Sequence, residues 1–267
     1  MTDPTVQAQV DAAKAYEALM VPALFGEWAS KVADAVQIQP GEQVLDVACG
    51  TGVLAREVLL RTGATGFVTG LDPSAGMLEV AKQLVPDVEW RQGVAESLPF
   101  PEASFDVVVS QFGLMFFDDR PEALRQALRV LRPGGRLAFA VWDSLDNIPA
   151  YADEVALLER LAGASAADAL RAPFVLGNRG DLTTLFTGGG VEAVEVATHK
   201  GTARFPSVRV MIEADLRGWL PVMDVVLTEE QIAGILQAAE QALSPYVTGD
   251  GAASFGTSAH VVTGTKP

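Results

Sequence analysis

Three groups of side chains in this chain have types and spacings suited to chemistry. The first is VLDVACGTGVLA, residues 44–55, where an apolar run ends in Asp46, small residues follow at Ala48, Gly50 and Gly52, and a helical pattern begins. Small residues at a strand-to-helix turn let the backbone approach a ligand closely, and the free N–H groups of the helix start add positive potential, as in nucleotide sites. The same residues also make a plain tight turn. The second group is Asp72, at the end of the next apolar run in GLDPS, placed to accept hydrogen bonds from two ribose hydroxyls or to cap the helix that follows. Met77, one turn further, suits the flat face of a base and suits a core equally.

The third group is dispersed. Asp143 and Ser144 follow the fifth apolar run, and the only two histidines, His199 and His260, lie beside and inside strand-like segments. Asp143 and Ser144 are the better placed, because ligands of open α/β sheets bind beyond the carboxyl edge of the strands. Strand histidines are more often structural. No Ser/His/Asp order, HExxH spacing or CxxC pair competes, and no metal site is expected.

A sheet edge is needed to gather these residues. From Gln43 to Trp142, strand-length apolar runs alternate with helix-length amphipathic stretches, the pattern of parallel βαβ units. Strands are expected at 43–47, 66–71, 88–92, 105–110 and 136–142, with helices near 53–61, 75–84 and 121–131. Arg132-Pro133-Gly134-Gly135 ends the last helix and turns the chain. Residues 6–19 and 22–36 read as two helices of an N-terminal cap over 1–40, with Pro22 in a helix's first turn. After a core at 41–143, helices near 150–161, 181–186, 207–218 and 229–243 accompany strands at 191–197 and 255–264. These read as a lid inserted after the fifth strand plus the final strands, over 144–267, within a single domain of 1–267.

Composition narrows the partners. The 267 residues are 49% apolar and 20% charged, a globular rather than a disordered balance. A net charge of −15 argues against a nucleic-acid partner and against anionic membrane surfaces. The longest apolar-rich uncharged run, 107–117, is too short to span a bilayer, and Met1 to Val10 holds neither a cation nor an apolar leader stretch. A cytoplasmic monomer or homodimer is expected. The single cysteine, Cys49, excludes an intramolecular disulfide.

Taken in order and spacing, VLDVACGTG, GLDPSAGML, AESLPFPEASFDVVVS and RVLRPGGRLAF resemble the class I S-adenosylmethionine-dependent methyltransferases over roughly residues 40–143. Within them the chain is similar to the ubiquinone/menaquinone-biosynthesis branch. The resemblance implies a Rossmann-like α/β fold, with a mostly parallel seven-stranded sheet and helices on both faces. It also implies S-adenosylmethionine as cofactor and a small-molecule methyl acceptor. By motif, Asp46, Ala48, Gly50 and Gly52 would surround the methionine part, Asp72 would hold the ribose, and Pro73 and Met77 would flank the adenine. Ala95 and Glu96 fall at the adenine edge, and Gln111 faces the methionine moiety and the methyl. By their position on the cap helices, Tyr16 and Trp28 either close over the cofactor or anchor the apolar faces on which they fall. Two positions depart from the pattern: Ala48 replaces a glycine, and Val94 replaces an acidic residue, leaving the adenine amino group to the backbone or Glu96.

The implied reaction is an in-line displacement governed by positioning, with a general base needed only when the acceptor must lose its proton during attack. No catalytic residue is assigned. Phe112, Met115, Phe116 and Phe117 with Trp142 and Trp219 point to an apolar or aromatic acceptor, with Phe112 and Trp142 expected to touch it; the accepting atom (O, C, N or S) stays open. A nicotinamide-dependent dehydrogenase shares the first turn and its acid, but expects GxGxxG where positions 48, 50 and 53 read Ala, Gly and Val. A non-catalytic S-adenosylmethionine-binding protein is the third reading.

Overall fold

β1 (Gln43–Val47) is apolar on both faces, as a strand covered by helices on both sides requires, and Val44 to Val47 are all buried. The computed structural model describes residues 4–267, so the first three residues of the expected cap lie outside the described residues. β1 is an inner strand of a seven-stranded sheet ordered β3-β2-β1-β4-β5-β7-β6. β2 (Phe67–Asp72), β3 (Glu89–Gln92), β4 (Phe105–Gln111) and β5 (Leu131–Trp142) join it in parallel register. β7 (Ala253–Thr265) inserts antiparallel between β5 and β6 (Glu192–Phe205). This is the mostly parallel α/β fold read from the sequence.

α1 (Pro4–Met20) runs into a wide turn at Val21–Phe25, and α2 (Trp28–Ala35) follows. The expected boundary at Pro22 is replaced by this turn: a proline lacks the N–H for regular helix bonding, and Gly26 N–H instead reaches back to the Val21 carbonyl at 2.7 Å. α3 (Val53–Thr62), α4 (Ala75–Leu84) and α5 (Arg120–Val130) are the crossover helices. Past β5 the expected single insertion is two. α6 (Pro149–Ala162), α7 (Ala164–Arg171) and α8 (Arg179–Gly188) precede β6, while α9 (Val208–Ala214), a wide turn at Asp215–Trp219 and α10 (Glu229–Ala242) precede β7. β6 runs to Phe205 rather than stopping at 197, because it is an edge strand whose polar stretch Thr198 to Thr202 still pairs with β7.

The turn after β1 rests on Trp90 of β3. A Cβ on Gly52 would stand 2.4 Å from the indole, and one on Gly70 only 2.3 Å away. The indole N–H is anchored on the Val85 carbonyl at 3.0 Å. Gly52, with φ at 85°, is therefore small for packing beneath the turn, whereas a Cβ on Gly50, with φ at 54°, would meet nothing within 4 Å. Ala48 takes the left-handed region too, at φ 57°, a conformation the family's glycine adopts more cheaply.

In the helices beyond β5, two acids face each other out of water. Glu154 on α6 is fully buried and Asp215 is 4% exposed. Burial pushes Asp215 up to about 7, and burial together with the Asp215 charge holds Glu154 well above the usual carboxylate range. The buried phenol of Tyr151 is raised by burial and by both acids. Next along the turn, Trp219 donates its indole N–H to the Ala169 carbonyl at 2.8 Å and lies 5.1 Å from the Phe116 ring.

Two predictions follow from this packing. Unfolded, both acids titrate near 4, so between about pH 4 and pH 7 the folded chain holds more protons and stability falls as pH rises. Thermal unfolding is expected to give a lower Tm at pH 8 than at pH 5, and Glu154→Gln, which keeps a donor against Asp215, should flatten that slope; equal slopes would contradict the shared proton. Gly52→Ala should cost about 1–3 kcal/mol by denaturant unfolding through overpacking against Trp90. Gly50→Ala should lose only about 1 kcal/mol, from backbone strain. Equal losses would refute the packing role.

Candidate functional site

The carboxyl ends of β1 and β4 bring Asp46 and Gln111 together under the turn at 48–51. A small cavity of about 30 Å³ lies there, lined by Asp46, Ala48, Gly50, Thr51 and Gln111, with Tyr16 and Phe25 as its roof. Asp46 is 1% exposed, and neither of its carboxylate oxygens has a hydrogen-bond partner; the Gln111 carbonyl oxygen is also buried without one. Burial, assisted by the Asp72 charge, holds the Asp46 carboxyl well above the usual carboxylate range. The Gln111 amide nitrogen is spent on the Phe25 carbonyl at 3.0 Å, which aims its oxygen inward. Three acceptors without donors surround the cavity, so the group it suits is a donor or a cation.

Asp72 stands at the end of β2 and stitches the turn in place. One oxygen accepts from Gly50 N–H and the other from Ser74 N–H, both at 2.9 Å. Burial raises its pKa, against those two hydrogen bonds. Helix capping falls to Ser74, whose hydroxyl accepts from Met77 N–H at 3.3 Å. The Met77 side chain packs with Val6, Val10, Ala13 and Val80 where α1 crosses α4, so here it belongs to a helix contact. Gly76 makes that crossing close: its Cβ would be 2.5 Å from the Gln9 backbone.

The roof is latched. Thr51 donates its hydroxyl to Glu17 at 2.5 Å, and Arg56 bonds the other Glu17 oxygen at 2.8 Å. Tyr16 stacks on Phe25 at 5.4 Å between ring centres, and burial with the nearby Glu17 and Asp72 charges pushes its phenol up. Trp28 does not join the roof. It is wholly buried, edge-on to Phe112 at 5.7 Å and to Trp142 at 5.6 Å, where α2 packs beneath the strand ends. Phe112 and Trp142 stack on each other at 3.9 Å and 9°, forming one aromatic block with Trp28 and Phe25 rather than lining the small cavity. Phe112 holds φ at 57°, a strained conformation of the kind that gathers at functional sites.

The remaining expected residues are scattered. Pro73 is exposed and lends its carbonyl to Gln92. Ala95 is buried in the core, and Glu96 turns away to accept from Asp118 N–H at 2.9 Å and Asp119 N–H at 3.4 Å, bracing the loop after β4. Asp143 and His260 pair with each other on the far side of Trp142, and His199 lies out on the edge strand. Sequence reading missed Glu17, Thr51, Arg56 and Phe25; only Thr51 had a signal, its place inside the small-residue turn. Among the described residues no group of three or more His, Cys, Asp or Glu could hold a metal, and no helix is long and apolar enough to cross a membrane.

Comparison with known proteins bears on this geometry. The family model "Methyltransferase domain" matches residues 45–139. A demethylmenaquinone methyltransferase of Listeria welshimeri is 40% identical over 130 residues, 47% of this chain and 55% of that protein. A 2-phytyl-1,4-naphtoquinone methyltransferase of Thermosynechococcus vestitus is 40% identical over 114 residues, 42% of this chain and 51% of that protein. The chain thus spans about half the length of the curated relatives it matches. A solved structure from Anabaena variabilis, described as a methyltransferase from an antibiotic biosynthesis pathway, superimposes with a TM-score of 0.65 at 16% identity, over 88% of this chain and 96% of that one. Residues 45–139 thus match a methyltransferase domain and are similar to quinone methyltransferases, and the fold over most of the chain is the α/β fold of solved methyltransferases.

Proposed function

We propose that this protein transfers a methyl group from S-adenosylmethionine to a small aromatic or apolar metabolite, a ring of the quinol type being the first candidate. The observation that carries the reading is the set of three buried, partnerless oxygens, Asp46 Oδ1 and Oδ2 and Gln111 Oε1, around the cavity under the turn. Acceptors alone, in a buried setting, call for a ligand bearing an ammonium and a sulfonium. NAD offers no such primary ammonium, and the turn lacks the GxGxxG glycines.

The cofactor supplies an electrophilic sulfonium methyl; the chain's part is to place it and keep water away. Asp46 would take the ammonium, and the open side of Gly50 leaves room for the methionine part. Asp72, already desolvated at the end of β2, is in reach to exchange its backbone partners for ribose hydroxyls. A cavity of about 30 Å³ holds a single water-sized group, so the roof of Tyr16 and Phe25 must lift with α1 to admit an adenosyl group. The Glu17 contacts to Thr51 and Arg56 are the latch on that motion. An aromatic acceptor accords with the quinones named for the relatives that share 40% identity with the core. Burial pushes the Tyr16 phenol up and leaves it un-ionised, so an acceptor carrying its own activating hydroxyl fits best.

Calorimetry should show S-adenosylhomocysteine binding without NADH binding. Asp46→Asn should weaken it by about 10- to 100-fold, the loss of a charge-assisted hydrogen bond. A cation stabilises ionised Asp46, so binding should release a proton and tighten as pH rises. Labelled methyl from S-adenosylmethionine should appear on a phenol or quinol in a turnover screen. NADH binding with neither sulfur ligand, or no labelled product from any acceptor class, would overturn the reading.

A further inference from the structure

A second cleft lies on the opposite side of the sheet from the aromatic block. The Trp142 ring meets Trp28 and Phe112, and Asp143, the next residue, turns the other way toward His260, 3.2 Å off. The cleft encloses about 450 Å³ and is lined by Asp143, Asn147, Asn178, Arg179, Thr198 and His260 among others. That volume suits a small metabolite. Three segments build it: the chain leaving β5, the turn entering α8 and the β6–β7 ladder. Gly177 lets the first two touch, since a Cβ there would stand 2.1 Å from the Ser144 backbone nitrogen.

The floor of the cleft is saturated. His260 is 2% exposed; its Nδ1 meets Thr198 Oγ1 at 2.9 Å and its Nε2 meets the Gly177 carbonyl at 2.9 Å. The Asp143 carboxylate also accepts from Ser144 N–H at 2.7 Å, Asn147 Nδ2 at 3.0 Å and the Ser258 hydroxyl at 2.7 Å. The walls keep donors in reserve. Arg179 commits one nitrogen, Nη2, to the Val196 carbonyl at 2.7 Å. Asn178 spends its oxygen capping α8, on Gly180 and Asp181 N–H, which leaves its amide N–H₂. Outside the lining, two positions along β6 from Thr198 on the same strand face, Lys200 touches Ser258 Oγ at 3.2 Å and has protons to spare. Against these donors stand Asn147 Oδ1, the Ser144 and Thr198 hydroxyls and the Asp143 carboxylate, both of whose oxygens already accept from neighbouring donors.

We propose that this cleft binds the anionic group, carboxylate or phosphate, of a small metabolite, at a site separate from the cavity under the glycine-rich turn. The Arg179 fork grips the anion, with Lys200 and the Asn178 amide beside it and His260 beneath.

The chain has only two histidines, so imidazole proton resonances can follow the site. His260 is under the cleft, and His199 faces the other side of β6 as an internal control. Inorganic phosphate and malonate are titrated separately at constant ionic strength, and the lower midpoint identifies the preferred group. A saturable shift of His260 with His199 unmoved is expected, its midpoint raised about tenfold or more in Arg179→Gln. Lys200→Gln should raise it too, while Arg160→Gln, on an exposed position of α6, should leave it alone. Saturation by neither anion, both histidines drifting together, or Arg179→Gln and Lys200→Gln titrating like the parent would overturn the site. None of these outcomes depends on methyl transfer.

Discussion

A carboxylate taken out of water with no partner is the constraint around which the site is organised. Burying an acid this way is costly, and a chain tolerates it only where the surroundings hold the group in place. Asp46 is fixed because β1 is clamped between β2 and β4, and because the turn beyond it is locked by Asp72 on one side and Trp90 below. The negative charge of Asp72 then raises the cost of ionising Asp46. A fold that maintains this arrangement has its electrostatics set for an incoming cation before any cation arrives.

The same turn shows two uses of glycine that differ in kind. Gly52 is small because an indole fills the space its side chain would need, and Gly50 is small where space is open. Closure over the open side comes from α1, through the close crossing at Gly76 and the Glu17 latch. Behind it, the Phe25, Trp28, Phe112 and Trp142 rings form a block that ties the N-terminal helices to the ends of β4 and β5. The helices after β5 touch that region through Trp219 and Phe116, just past the buried Glu154 and Asp215.

β1, β2, β4 and β5 were legible because their apolar runs are punctuated by Gly and Pro, whereas β3 (Glu89–Gln92) has Trp90 as its one apolar residue. The second half of β6 and all of α7 were not. An edge strand with alternating exposure has no continuous apolar run, and Ala164–Arg171 is an alanine-rich helix of eight residues, barely two turns of pattern to read. The packing of Trp28 was not legible because a bulky aromatic on a cap helix has the same sequence signature whether it roofs a ligand or anchors a core. The partners of Glu96 were not legible because the backbone N–H groups that claim it, at Asp118 and Asp119, lie 22 and 23 residues away.

By itself the sequence determined the strand order of chemistry: an acid closing β1, small residues turning into α3, an acid closing β2 and an amide closing β4. Periodicity and turn chemistry are local, so local residues suffice to set them. Only the tertiary structure decided which of those groups lack partners, which glycine faces open space and which an indole, and that Glu17, 34 residues before Thr51, bonds across the turn. It also decided that Trp142 and Asp143, neighbours in sequence, serve opposite sides of the sheet. Burial and hydrogen-bond satisfaction are properties of what packs around a residue, and those neighbours come from distant parts of the chain.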